Sequence, residues 1–238
     1  MNGRIILTAA IAAIGLAAFA DDSNKPGVWS AFSVSGALND AKTLKAAAAQ
    51  ESRFDTKRLI EEHTQATLLF SPVDWFDIGP HVHWIDARAK KPDGGHEWNN
   101  ELRLGVESNL RYKSGGWNFA NRHRVLWREF EKGNTDFFRW RSRFQIVAPD
   151  ILKPAGFETG WKARPFVSYE FFFDNGKPSK RVRTNDKFDQ QWLRAGIKLA
   201  FSEHWGLDVF YHLQIKKSSS THDWDPGHVI GLNFGYRF

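Results

Sequence analysis

Cysteine is absent from this sequence of 238 residues, and methionine occurs once, as Met1. Without thiol groups the chain can form no disulfide framework, no zinc–thiolate centre and no thiol nucleophile. These classes of small disulfide-bonded, zinc-binding and cysteine-dependent protein are therefore excluded before any pattern is considered.

Long apolar runs are missing beyond the first twenty residues, and the mean hydropathy is negative. This excludes a helical membrane protein, whose spans need roughly 20 apolar residues each. The one apolar run, residues 5–19, follows the positive Arg4, and the small-residue pattern Ala18-Phe19-Ala20 comes just before Asp21. The pattern predicts a cleaved signal peptide over residues 1–20, with an uncleaved anchor helix as the alternative. The exported chain is then either soluble or a membrane barrel.

Acidic residues are fewer than basic ones: 27 Asp and Glu against 33 Lys and Arg give a formal net charge of +6. The basic residues form no tail or basic helix, and export argues against nucleic acid as a partner. Aromatic residues are abundant, at 15% with 11 tryptophans. Outer-membrane barrels use such residues as girdles at both membrane interfaces. The length suits one domain, residues 21–238.

Alternation of apolar and polar residues recurs along the chain and predicts about ten β-strands. Leu102, Leu104 and Val106, for example, alternate with Arg103 and Glu107. Most segments exceed the average soluble strand of about 5–6 residues and match the roughly 9–11 that cross a bilayer. The predicted strands are residues 28–36, 59–70, 75–86, 98–112, 117–130, 137–147, 161–174, 188–201, 206–216 and 227–238. The fold class expected is all-β: a single antiparallel up-and-down transmembrane barrel, with 8–12 strands possible.

The last predicted strand ends on an aromatic residue. Phe234, Tyr236 and Phe238 alternate with the small or polar Asn233 and Gly235. Such a strand resembles the C-terminal assembly signal of bacterial outer-membrane barrels, which the barrel-assembly machinery recognises. The alternative is the last strand of a soluble β-protein.

Connection lengths alternate as well. Tight turns are expected at residues 71–74, 113–116 and 202–205, and longer polar loops at residues 88–97, 175–187 and 218–226. Outer-membrane barrels have short periplasmic turns and longer external loops. Ten strands threaded from a periplasmic N-terminus return Phe238 to the periplasmic edge. Residues 39–52, rich in Ala, Lys, Gln and Glu, are expected to form a helix or small plug in the first external loop, with part of a strand as the alternative.

Alternation alone does not say which face is inside, but arginine separates the two arrangements. A soluble surface usually mixes Lys with Glu, whereas Arg dominates the strand centres of this chain. Arginine forms bidentate carboxylate pairs and tolerates burial among other charges, which favours a polar lumen. The side chains expected in the lumen include Arg103, Arg111, Arg122, Arg124, Arg128, Arg139, Arg141, Arg143, Lys162, Arg164, Arg194, Lys198, Lys216 and Arg237, with Glu61, Asp77, Glu101, Glu107, Glu170, Asp174 and Asp208.

Several stretches resemble a family of outer-membrane β-barrels from Gram-negative bacteria that is known only as a domain of unknown function. They are residues 121–130 (NRHRVLWREF), the Arg-rich residues 138–144, residues 165–173 (PFVSYEFFF), residues 194–211 and residues 231–238. The resemblance extends over the whole mature chain and implies a barrel in the outer membrane. It implies no activity, and no functional residue is carried over from it.

The first candidate site is a ladder of arginines on two neighbouring strands, because same-parity residues of paired strands share a face. One hypothesis is an anion-selective constriction, since rings of Arg or Lys favour anions. The other is a structural network in which carboxylates neutralise the arginines and close the lumen. The candidate residues are Arg122, Arg124, Arg128, Arg139, Arg141, Arg143 and Arg194, with Glu101, Glu107 and Glu170.

Two histidines on one predicted strand, His81 and His83, are weak candidates for metal binding or acid–base chemistry, but no fixed-spacing metal motif accompanies them. Ordinary hydrogen bonding in the lumen is the alternative. For a lipid-acting hydrolase, the nearest match is His212 with Ser218–Ser220, although alternation turns His212 to the lumen and no nucleophile has its base.

The external loops carry basic residues that are expected either to contact the phosphates of lipopolysaccharide or to remain solvated. These residues are Lys90, Lys91, Lys177, Lys180, Arg181 and Arg183.

The sequence thus predicts an outer-membrane barrel with an Arg-rich lumen that acts as a narrow pore for anionic or polar solutes or as an envelope structural protein. A lipid- or lipopolysaccharide-modifying enzyme and a soluble exported binding protein are the alternatives. No cofactor is expected, and the oligomeric state stays open.

Overall fold

The segments in which apolar and polar residues alternate form eleven β-strands in the computed structural model. The structure describes residues 27–55, 58–90, 94–131, 137–152, 160–175, 188–217 and 223–238. The predicted signal peptide lies outside this described part. The strands are β1 (Gly27–Ala37), β2 (Leu44–Asp55), β3 (Arg58–Val73), β4 (Phe76–Lys90), β5 (His96–Ser114), β6 (Trp117–Phe130), β7 (Phe137–Val147), β8 (Lys162–Asn175), β9 (Phe188–Ala200), β10 (Trp205–Lys217) and β11 (Trp224–Arg237). In these residues no helix is both long and apolar enough to cross a membrane.

The strands form one closed barrel in which each pairs with its neighbours along the chain and β1 closes the ring against β11. The consecutive strands are antiparallel, whereas β1 and β11 are parallel. An odd number of strands requires one such pair, because the first and last strands of an odd meander run the same way. The predicted all-β barrel is confirmed, and eleven strands is close to the predicted ten.

The additional strand is β2: the helix predicted within residues 39–52 is wrong, and the alternative, part of a strand, is confirmed. This strand pairs with β1 on one side and with β3 on the other, from Leu44 opposite Phe70 to Asp55 opposite Arg58. Alanine's preference for helix is worth less than about 1 kcal/mol per residue. Two complete ladders of strand hydrogen bonds outweigh it, because unpaired backbone groups inside a membrane cost far more.

The two mouths of the barrel differ. The turn end holds the tight connections after β3, β5 and β9 together with Phe238, and the loop end holds the connections after β4, β6, β8 and β10. Since β1 runs parallel to β11, Gly27 lies at the loop end. The predicted threading placed both ends of the barrel segment at the same mouth and is therefore wrong, because β2 carries Gly27 to the mouth opposite Phe238.

The outer face is an apolar belt bounded by aromatic residues near each end. Leu104, Val125 and Ile197, from three strands, are 46%, 49% and 41% exposed at its centre. Soluble monomers rarely expose a continuous apolar surface of this kind, so the belt suits lipid. The aromatic residues are Trp75, Tyr112, Trp117, Trp161, Trp205 and Phe238 at the turn end, and Trp84, Trp98, Trp127, Phe171, Phe173 and Phe188 towards the loop end.

Two glycines make room for aromatic rings at the seam where the barrel closes. A Cβ on Gly36 of β1 would lie 2.4 Å from the ring of Phe238, whose backbone N–H donates to the Ser35 carbonyl at 3.0 Å. A Cβ on Gly231 of β11 would lie 2.1 Å from the ring of Phe210 in the lumen. The chain therefore needs glycine at both positions to bring β1 and β11 together around these rings.

Candidate functional site

The middle of the lumen is built around Glu170 of β8. Arg141 and Arg143 of β7 reach its carboxylate at 3.0 and 3.6 Å, and Arg122 of β6 reaches it at 3.5 Å. Strand register explains the first two contacts, because Arg143 is directly opposite Glu170 and Arg141 is the next residue on the same face. One carboxylate thus serves three guanidinium groups.

A second group of contacts crosses the lumen from β3 to β6. Arg124 donates from Nε to Glu107 at 2.6 Å and from Nη1 to Oε1 of Gln65 at 3.1 Å. His81 lies beside this pair, with Nδ1 2.7 Å from the Thr67 hydroxyl and 3.9 Å from Glu107. Because β4 and β5 lie between β3 and β6, the Arg124–Gln65 bond spans the interior rather than following the wall.

Towards the loop end, carboxylates are shared or paired one to one. Glu101 accepts hydrogen bonds from both Arg103, at 2.6 and 3.0 Å, and Arg128. Arg139 binds Asp174 through two bonds of 2.6 Å each. These bidentate pairs hold planar guanidinium groups in fixed orientations along the wall.

Next to these charged groups, aromatic rings from β1, β8 and β9 fill part of the lumen. Trp29, Phe172 and Trp192 form a buried cluster together with Val229. The ring of Trp29 lies 5.5 Å from that of Trp192, and the Trp192 ring lies 4.6 Å from that of Phe172. His212 packs against both indoles, at 4.5 Å from Trp29 and 4.8 Å from Trp192. The histidine proposed for lipid hydrolysis is thus a packing residue of the interior.

Arginines stack on these rings and join the charged and aromatic sides. The guanidinium carbon of Arg53 lies 3.9 Å from the ring centre of Trp29, and that of Arg141 lies 4.9 Å from Phe172. Arginine suits this role because its planar, weakly hydrated head stacks on aromatic faces while still donating hydrogen bonds.

At mid-height the side chains that make these contacts are almost wholly buried. Leu126, Glu170 and His212, which lie on three different strands, are 0%, 2% and 0% exposed. Arg124 and Arg141 are each 6% exposed. These five residues, from β6, β7, β8 and β10, therefore have almost no surface that water can reach at this level.

Above this closed layer, the lumen widens into a cavity of about 330 Å³ towards the loop end, called here the loop-end cup. Seven cationic side chains line it against two carboxylates, Glu61 and Glu101. Four aromatic rings also line the cup, including those of Phe172 and Trp192. The cationic residues are Arg53, Arg103, Arg128, Arg139, Arg141, Lys216 and Lys217.

All the arginines and glutamates predicted as lumen candidates lie on the inner face, and most take part in these contacts. His81 and His83 lie there too. His83 Nε2 is 2.9 Å from His63 Nδ1, and His63 Nε2 is 3.0 Å from Glu61. Within the described ranges, no three His, Cys, Asp or Glu side chains come together in a way that could hold a metal ion.

The structure does not support the other sites predicted from the sequence, the hydrolase site and the basic external loops. Ser218 and the basic loop residues Lys91, Lys177, Lys180, Arg181 and Arg183 lie outside the described residues, as does the side chain of Lys90. A polar row on the outer face escaped the sequence reasoning: His123 is opposite both Ser108 and Ser142. The Ser142 hydroxyl is fully covered and has no hydrogen-bond partner in the described part of the chain, so it presents no accessible nucleophile.

Sequence reasoning also missed Trp29 and Arg53. Arg53 binds Glu51 at 2.5 Å and Glu61 at 2.7 Å. It belongs to β2, most of which falls within residues 39–52, where a helix was predicted. The signal that could have identified Arg53 is the alternation of charged residues, Glu51 and Arg53, with the uncharged Gln50 and Ser52. Four consecutive alanines before it hide that alternation, because alanine fits either face of a strand.

An apolar belt, aromatic rings at both ends and charged side chains on the inner face define this chain as an outer-membrane-type β-barrel. It belongs to the family described as "Protein of unknown function (DUF2490)", whose model matches residues 26–225. The predicted membership of a barrel family of unknown function is thereby confirmed. No curated protein matches the chain. Among solved structures, it is similar to the beta domain of the Bordetella autotransporter Brka, with a TM-score of 0.43, 9% identity and 78% of each chain covered.

Proposed function

We propose that this protein is an integral barrel of the Gram-negative outer membrane that acts as an envelope structural protein with a closed lumen. The observation that carries the proposal is the inaccessible layer at mid-height, where Leu126, Glu170 and His212 are almost wholly buried. A solute that crossed the barrel would have to displace this layer.

Displacing that layer is costly. Separating a buried ion pair costs about 3–5 kcal/mol, because it leaves an uncompensated charge away from water. Passage would break the contacts of Glu170 with Arg141 and Arg122 and would also part the ring of Trp192 from that of Phe172. These contacts share partners, so they resist opening together rather than one at a time.

Conductance across planar lipid bilayers tests the closed lumen. The purified, refolded chain is expected to give no steady current. Replacing Arg141→Ala and Trp192→Ala together removes two side chains from the closed layer and is expected to produce a small conductance. That conductance should favour anions, because arginines would line the opened path.

The matched control is Arg88→Ala with Trp98→Ala, which removes the same two residue types from directly paired positions of β4 and β5 on the outer face. This variant should remain silent. Steady anion-selective current from the unaltered chain would overturn the structural role and favour the narrow pore. A folded Arg141/Trp192 variant without conductance would show that these side chains do not close the lumen.

The proposed location also implies partners. The outward belt would contact membrane lipid and lipopolysaccharide, and β11 would be the strand that the barrel-assembly machinery recognises. Phe234 and Tyr236 support the second point, because both rings face outward and pack against Trp205 at 5.1 and 4.6 Å. Phe238 extends this row at the turn end and is 51% exposed.

A further inference from the structure

The loop-end cup has features that a purely structural lumen does not require. It opens to one mouth of the barrel, and its volume of about 330 Å³ falls in the range of small-molecule sites, which start at about 300 Å³. The closed layer beneath gives it a floor. A solute that entered from the loop end would therefore meet a blind pocket.

The charges of the cup are unbalanced. Glu101 is shared between Arg103 and Arg128, so one carboxylate faces two guanidinium groups. Glu61 contacts Arg53, which also binds Glu51. Just outside the lining, Asp174 pairs with Arg139 and Glu170 pairs with Arg141. With Glu51 included, five carboxylates stand against the seven cationic lining residues, so positive charge is in excess among them.

The innermost lining residues have unused hydrogen-bond donors. Arg141 Nε and Trp192 Nε1 are buried and have no acceptor among the residues that the structure describes. Arg141 and Trp192 are each 6% exposed. Buried donors without a partner are costly to retain. Both atoms are covered by neighbouring side chains, so an acceptor in the cup reaches them only when those side chains shift.

We propose that the loop-end cup binds a small organic anion that carries a phosphate or carboxylate group beside a planar apolar group. The anionic group lies against Arg103, Arg128 and Arg141, and the apolar group packs against Phe172 and Trp192. The lining of the cup is mostly polar and cationic, with four aromatic rings among it, so a ligand that joins a negative charge to a planar apolar group matches both parts. This binding role goes beyond the structural function and does not depend on the conductance of the barrel.

Calorimetric titration of the full chain, refolded in detergent, tests the proposal. Phenyl phosphate and benzoate represent the two anionic groups, inorganic phosphate lacks the apolar part, and phenol lacks the charge. Saturable binding of phenyl phosphate or benzoate, weakened by added salt, is expected. Absence of binding by both aromatic anions, or equally tight binding of phenol, would overturn the proposal. Equally tight binding of inorganic phosphate would overturn the role of the aromatic wall.

Variants then locate the site. Arg103→Gln removes a charge-assisted donor while Arg128 still pairs with Glu101, so binding should weaken about tenfold. Lys113→Gln removes one positive charge at the exposed turn end and should leave binding unchanged. Glu101→Gln should tighten binding, a gain that damage to the fold cannot imitate. Equal losses in the Arg103 and Lys113 variants would mean nonspecific attraction and overturn the site. A Glu101 variant that folds but binds no more tightly would also contradict it.

Discussion

Glu170 is the most heavily shared carboxylate of the lumen, since arginines from both β6 and β7 reach it. Its side chain is 3% exposed, whereas those of Arg122 and Arg143 are 21% and 20% exposed. The arginines that share it are therefore not equivalent. Losing one of the more exposed arginines leaves two others on the carboxylate, but losing the carboxylate leaves three positive charges close together with little water to screen them.

Substitution at this cluster should be strongly asymmetric. Glu170→Gln is expected to lower the free energy of unfolding by about 3–5 kcal/mol, as for a buried pair broken from one side. Arg143→Gln should cost less, about 1 kcal/mol, because Glu170 keeps its contacts with Arg141 and Arg122. Urea titration of both variants in lipid vesicles, followed by tryptophan fluorescence, measures the difference. Equal losses would contradict the central position of Glu170.

At the scale of elements, β2 decides the architecture. It converts an even meander into an odd one, and this brings β1 and β11 together in parallel rather than antiparallel. The seam is narrow: the Ser33 hydroxyl donates to Asn233 at 3.3 Å, and Phe32 stacks on Phe234 with ring centres 6.1 Å apart. Since these contacts follow from register, the seam can be tested by cross-linking.

A disulfide across the seam should form without disturbing the barrel. Ser33 and Gly235 are directly paired on the lumen face, and the chain has no native cysteine to compete. The variant S33C/G235C is expected to oxidise spontaneously and to resist unfolding until it is reduced, because paired strand residues come within disulfide range. The control S33C/G227C joins residues eight positions out of register and should stay reduced. Cross-linking of the control alone would contradict the parallel closure.

Much of this barrel is predictable from sequence, because a period of two fixes which side chains share a face. Arg124, Arg141 and Glu170 were all predicted on the lumen face. The pairing of individual residues between strands was not predictable. Alternation shows which residues share a face but not how far one strand is shifted along the next, so nothing in the sequence says that Glu170 rather than Asp174 contacts Arg141. The alanines before Glu51 removed the contrast between faces on β2. Because β2 was not predicted, Gly27 was expected at the same mouth of the barrel as Phe238 rather than at the opposite one.

At the scale of the whole molecule, the two mouths differ in structure and charge. The cationic cup opens at the loop end. At the turn end, the basic side chains are held by carbonyl and carboxylate partners: Arg164 donates to the carbonyls of Ala148 and Gly116 at 2.9 Å each, and Lys45 and Arg111 both bind Asp77. If the loop end faces the outside, as longer loops do in outer-membrane barrels, the cup samples solutes outside the cell.

This orientation can be measured with single cysteines. Glu131→Cys lies at the loop end and Lys113→Cys at the turn end, and both positions are exposed. A membrane-impermeant maleimide should label Glu131→Cys on intact cells, and Lys113→Cys should be labelled once the outer membrane is broken. Deleting Phe238 from the Glu131→Cys chain should abolish surface labelling, because the seam loses its contact with Gly36 and β11 loses its terminal aromatic. Labelling of Lys113→Cys alone on intact cells would reverse the orientation, and labelling of neither until lysis would contradict an outer-membrane barrel with its loops outside.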